Sequence, residues 1–181
     1  MTVRTTYFSA LSHGKVTPGR DALVLGVVRE PFDWVGDVVD RNVPVLAPPE
    51  ELLSAYKRVE EAAERSEERN PREVAWRSVD FEQRYREYLS QSSVQQPLDT
   101  VRSHVEDRPV WLVCYEASER WCHRRLLVEH LLSDLGLPCH PDDHRLVVAD
   151  GCAHARRCAR CGFATQTLTD HFGQDLGEVD R

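Results

Sequence analysis

Three observations predict an α/β fold, with a mainly parallel sheet and flanking helices in the Rossmann-like or flavodoxin-like manner. First, "ALVLGVVRE" (22–30) and "PVWLVCY" (109–115) are near-continuous apolar runs with β-branched residues, the pattern of strands buried on both faces. Second, amphipathic, charge-rich segments lie between and after these runs, and strands alternating with helices imply parallel pairing through crossovers. Third, both runs stop abruptly at polar residues, Arg29 and Glu30 in one and Tyr115 and Glu116 in the other.

In chain order, Val3 to Phe8 reads as a short strand, followed by a loop punctuated by Gly14, Pro18 and Gly19. The 22–30 run is the second strand. Prolines make "PFDWVGDVVDRNVPVLAPP" irregular. A helix is predicted to start near Pro48 or Pro49, with Glu50 and Glu51 at its positive end and Leu52, Leu53, Tyr56 and Val59 as its apolar face. Its charged continuation "RVEEAAERSEERN" should stop at Asn70 and Pro71. Val79 to Ser90 forms a further helix, with Phe81, Tyr85, Tyr88 and Leu89 inward. "SQSSVQQP" reads as a polar loop and Leu98 to Val105 as a short helix. After the 109–115 strand, a helix from about Trp121 to Leu135 is closed by Gly136. "LPCH" and "RLVVAD" are short strand candidates. The expected division is an α/β body over 1–150 and a Cys/His-rich segment over 151–181.

The formal charge of −7 over 181 residues argues against a general coat for nucleic acid or anionic membrane. No run approaches the roughly 18–20 apolar residues of a membrane span, and "MTVRTTYFSALSHG" lacks the apolar core of a signal peptide. A cytoplasmic protein is therefore expected. Its six cysteines then read as metal ligands, active thiols or buried thiols rather than disulfides. Oligomeric state is not set by these features.

Functional groups of an open α/β sheet collect where strands end and helices begin. Cys114, Tyr115 and Glu116 occupy such a strand end, and Cys122, His123 and Arg124 the next helix start, so the two groups are expected to face one pocket. A thiol at a helix N-terminus beside histidine and arginine should have a lowered pKa. Cys122 is thus the expected thiolate, and Cys114 reads as a core thiol. Glu116 needs either an arginine partner, for which Arg124 and Arg29 are the candidates, or a catalytic role. His13 and Ser9 are further candidates to line the pocket. The plain alternative is an ion-pair network that locks the loop. The Cys114-x5-Arg120 spacing resembles a phosphate-cradle loop, but Glu116 and Glu119 would repel an oxyanion and no glycine frees the backbone N–H groups.

Cys114-Tyr-Glu116 followed by Cys122-His123-Arg124 resembles the signature of the prokaryotic domain-of-unknown-function family 488 (DUF488), in its branch with "CYE" and "CHR". "YFSALS", "VVREPFDW" with Arg29, Pro31 and Trp34, "LAP" with "LLSAYK", and "FEQRYREYL" match that branch in order. The resemblance spans roughly residues 3 to 150 and implies an α/β fold, but no assigned reaction. The better-known branch carries Gly-His-Ser near its N-terminus and Asp-x-Arg in its second strand. This chain has "VVRE", so no role of that aspartate carries over.

Near the C-terminus, Cys158-x-x-Cys161-Gly162 has zinc-knuckle spacing, with Cys152 and His154 just upstream to complete a tetrahedral site. Cys139, His140, His144 and His171 are rival ligands. A structural zinc is the expected cofactor, because a segment so poor in apolar residues needs one to fold. Arg156, Arg157 and Arg160 make the same segment a candidate contact for nucleic acid or a protein partner.

Three functions remain open. One is a hydrolase of a nucleotide or nucleic acid that cleaves an N-glycosidic bond, with Glu116 as the catalytic carboxylate and Arg29 and Arg124 as anion clamps. Another is a thiol-redox protein using Cys122, with Cys114 as resolving partner. The third is a non-catalytic zinc-containing binding module.

Overall fold

A computed structural model describes residues 3–135, with side chains through Leu131, together with the backbone of two short strands near the C-terminus. The chain divides into two compact units, Met1–Leu135 and Gly136–Arg181. In the second, β5 (Leu146–Val148) pairs antiparallel with β6 (Arg156–Cys158). The first contains a four-stranded, all-parallel sheet with six helices, so the α/β expectation holds.

The sheet runs β1-β4-β2-β3, from β1 (Val3–Tyr7), β2 (Leu23–Gly26), β3 (Arg41–Asn42) and β4 (Val110–Cys114). The two apolar runs recognised in the sequence are neighbours, with Leu23 beside Val110 and Gly26 beside Val113. β4 lies between β1 and β2, and its Val110, Leu112 and Val113 are fully buried. The register aligns Tyr7 with Cys114 on one side, and the Val27 N–H reaches the Val113 carbonyl on the other, 2.9 Å away. Three strands therefore end side by side.

The segment read as irregular contains β3, a strand of two residues. It exists because Asn42 imitates a ladder: its side-chain amide donates to the Val28 carbonyl at 2.8 Å and its Oδ1 accepts the Val28 N–H at 3.2 Å. Gly26 makes room for it, since a Cβ there would meet Asn42 Oδ1 at 2.8 Å.

The helices are α1 (Phe8–Ser12), α2 (Glu50–Arg65), α3 (Pro71–Ser78), α4 (Phe81–Leu89), α5 (Ser92–Asp107) and α6 (His123–Leu135). Asn70 and Pro71, expected to stop a helix, start one. Asn70 is the N-cap of α3, accepting the Glu73 N–H, and Pro71 takes the first turn, where its missing donor costs nothing. The supposed loop "SQSSVQQP" is also largely helical. Pro97 lies inside α5, and the helix persists because Val94, Leu98, Val101 and Val105 form one buried stripe. Among the described residues no helix is long and apolar enough to cross a membrane.

α6 is apolar around most of its girth, with Leu126, Leu127, Val128 and Leu131 all buried. One set of its polar contacts faces α4, where Arg125 bonds Glu129 and Glu82, and Arg86 bonds the same two carboxylates. That four-member network ties the helix to α4.

Candidate functional site

The first turn of α6 lands on the three strand ends. His123 Nε2 lies 2.8 Å from the Val27 carbonyl just beyond β2. Arg124 donates from its guanidinium to the Thr6 carbonyl of β1. Cys122 donates its S–H to Cys114 at the end of β4, with the two sulfurs 3.6 Å apart. All four side chains are buried, and Arg124 is only 1 % exposed. Backbone carbonyls at the ends of parallel strands lack ladder partners, so a histidine and an arginine in the adjoining helical turn are bound by the need to satisfy them.

The electrostatics favour one thiolate, on Cys114. The hydrogen bond from Cys122 is the main cause, opposed by burial and helped by His123, the Glu116 N–H and Arg124, and together they bring Cys114 down to about 5. The same bond, with burial, pushes Cys122 up. This reverses the expectation that Cys122 is the thiolate and Cys114 an inert core thiol. The helix N-terminus does act on Cys122, through the Arg124 N–H, but two close thiols share one proton and ionise as a pair. Cys114 keeps the charge because it accepts both the Cys122 S–H and the Glu116 N–H.

Tyr115 and Glu116 diverge from this cluster. Tyr115 Oη accepts the Phe32 N–H at 2.9 Å and donates to the Glu30 carbonyl at 3.0 Å, and its ring packs against Phe8 and Phe32. It is a strut for the segment after β2. Glu116, with its side chain 40 % exposed, pairs with Arg72 of α3 at 2.8 Å. Arg72 also reaches Glu60 of α2 at 3.4 Å, whose carboxyl is pushed up chiefly by burial.

Neither candidate partner of Glu116 is the one it uses. Arg29 donates to the Pro48 and Ala47 carbonyls at 3.0 and 3.4 Å, pinning the chain that enters α2. Arg124 is taken by Thr6 and by Glu119, 3.6 Å from its Nε. Ser9, in α1, and His13, just after it, are both exposed, and His13 Nδ1 meets the Ser9 carbonyl at 2.7 Å in a local turn. Cys122, His123, Arg124 and Cys114 thus come together, while Glu116, Tyr115 and Arg29 each serve another contact.

Two participants escaped sequence reasoning. Arg72 could have been found from Asn70-Pro71, which signals a helix start as well as a stop. Tyr85 was read only as core. Its ring meets His123 edge-on at 5.7 Å, its hydroxyl donates to the Leu46 carbonyl, and both thiols add to the effect of burial in raising its pKa. No sequence signal ties Tyr85 to the thiols.

One sulfur from each cysteine and one ring nitrogen of His123 lie within 4.8 Å of one another, a set able to hold a metal ion. The predicted zinc ligands Cys152, His154, Cys158 and Cys161, and their rivals Cys139, His140, His144 and His171, lie outside the residues whose side chains are described.

No curated protein and no solved structure matches the chain. A family model, DUF488-N3a, described as the active DUF488-N3 subclade, matches residues 10–135, which include Cys114, Cys122, His123 and Arg124. By that match, which covers more than half of its length, the chain belongs to the DUF488 family.

Proposed function

We propose that the protein is a thiol-redox enzyme in which Cys114 attacks and Cys122 resolves, the reverse of the roles expected from sequence. The observation that carries this is the buried Cys114–Cys122 pair, hydrogen-bonded with sulfurs 3.6 Å apart. A disulfide needs about 2.05 Å, so the seven-residue connection from Tyr115 to Trp121 has to close by only about 1.5 Å. The Cys114 thiolate attacks the terminal oxygen of a hydroperoxide, breaking the O–O bond and releasing an alcohol or water. Cys122 then attacks the resulting sulfenic sulfur and releases water. Two thiols and one hydroperoxide become one disulfide, one alcohol and one water, and a dithiol reductant restores the start. The matching family model's description as an active subclade supports catalysis over a purely structural use.

The test is exposure of the reduced full chain to hydrogen peroxide, with peptide mapping of cysteine states. A Cys114–Cys122 disulfide is expected, with sulfenic acid trapped on Cys114 in a Cys122→Ser variant. Two free thiols after complete oxidation of a peroxide-sensitive control would end the reading.

A second reading keeps Glu116 as the carboxylate of an N-glycosidic cleavage. It is favoured by Glu60 and Glu116 sharing Arg72, with burial pushing the Glu60 carboxyl up. Carboxyl groups in contrasting environments are how acid and base roles are separated. Glu116→Gln should then lower cleavage of a nucleoside or nucleotide by about 100-fold or more, and full retention of such activity would remove this reading.

A further inference from the structure

We propose that Cys114, Cys122 and His123 form a three-ligand site for a soft divalent cation, of which zinc is the type. The proposal concerns the same cluster as the thiol reading but does not depend on redox turnover. Three geometric facts support it. A tetrahedral cation with metal–sulfur bonds of about 2.3 Å holds two thiolates about 3.8 Å apart, and the sulfurs here are 3.6 Å apart with no cation needed to draw them together. The histidine nitrogen lies within 4.8 Å of both. One His123 nitrogen is also anchored, on the Val27 carbonyl. Because the Val27 carbonyl can only accept, Nε2 carries the proton, which leaves the Nδ1 lone pair for a cation. A ligand histidine anchored through its other nitrogen to a backbone carbonyl is the usual second layer of a metal site.

The charge balance agrees. Burying a divalent ion is tolerable when two thiolates neutralise it. Arg124 beside the site is offset by Glu119 at 3.6 Å. Two sulfurs and one imidazole exclude calcium and magnesium, which take oxygen ligands, and select zinc or another thiophilic ion. Three protein ligands leave the fourth position to water or a small ligand. A metal held here would also block disulfide formation until released, coupling occupancy to the redox state of the pair.

The test uses the full chain, reduced and stripped by a chelator, with cobalt(II) as the probe. Wild type should take up one more equivalent than Cys122→Ser. The difference spectrum should show sulfur-to-cobalt charge transfer and the strong visible bands of tetrahedral coordination. Equal uptake with identical spectra overturns the site. Because a variant at a buried position can fail to fold, a second measurement needs none. In the wild-type chain, zinc should slow N-ethylmaleimide labelling of the peptides carrying Cys114 and Cys122 by at least about tenfold, and a chelator should reverse this; peptide mapping reads the C-terminal cysteines separately. Labelling of these two thiols that ignores saturating zinc overturns the proposal. If peroxide still yields the disulfide in that case, the thiol reading stands alone. Zinc protection without peroxide-driven disulfide leaves the metal site alone.

Discussion

Arg124→Ala is expected to cost about 3–5 kcal/mol of folding stability, the range for removing one member of a buried, hydrogen-bonded charge group. The side chain is 1 % exposed and supplies a donor to the Thr6 carbonyl of β1. Truncation leaves that carbonyl buried without its donor, takes the Arg124 charge away from Cys114 and Glu119, and opens a cavity under the first turn of α6. A cation in the first turn of a helix is opposed by the helix dipole, so its presence there reflects the strength of these contacts. For a chain of this size the loss corresponds to a fall in Tm on the order of 10 °C. Arg124→Met, which restores volume without charge, should recover part of the deficit. Urea unfolding of the three proteins checks both statements, and an alanine variant within about 0.5 kcal/mol of wild type would show that Arg124 does not hold β1 to α6.

Tyr85 carries the second large effect. Tyr85→Ala should cost about 3–5 kcal/mol, because it removes a fully buried ring packed against Phe81, Tyr88 and His123. Tyr85→Phe should cost only about 1–2 kcal/mol, since it keeps the ring and orphans the Leu46 carbonyl. Tyr85→Phe should also leave peroxide-driven pairing of Cys114 and Cys122 intact, because the hydroxyl bonds Leu46 and neither sulfur. Equal losses in the two variants would mean that the hydroxyl, rather than the packing, dominates. Unfolding midpoints together with mapped cysteine states separate the cases.

The elements that were legible in the sequence share a physical cause. Strands β2 and β4 are buried on both faces, so nearly every position had to be apolar and the run was visible without knowing its neighbours. α2 and α4 have one buried face and one solvated face, which gives a helical period. The elements that were missed lack such a local signature. β3 is two residues long and depends on the Asn42 amide meeting Val28, fourteen positions earlier. α5 carries Pro97, a local veto overruled by four buried side chains. α3 begins with Asn70-Pro71, a pair that stops one helix or starts another according to how the next turn of chain packs.

The same division runs through the site. Residue types and spacing alone established that a strand ending in Cys114 hands over to a helix beginning near Cys122, and that His123 and Arg124 come with it. Those facts follow from periodicity and burial, which act along the chain. Tertiary structure decided which thiol holds the charge, which arginine Glu116 meets, and that His123 and Arg124 bind the ends of β2 and β1. The thiols are eight positions apart, across the turn between β4 and α6, and the arginine and histidine contacts join segments about 40 to nearly 120 positions apart. Hydrogen bonds and ion pairs act over a few ångströms of space, whatever the separation along the chain.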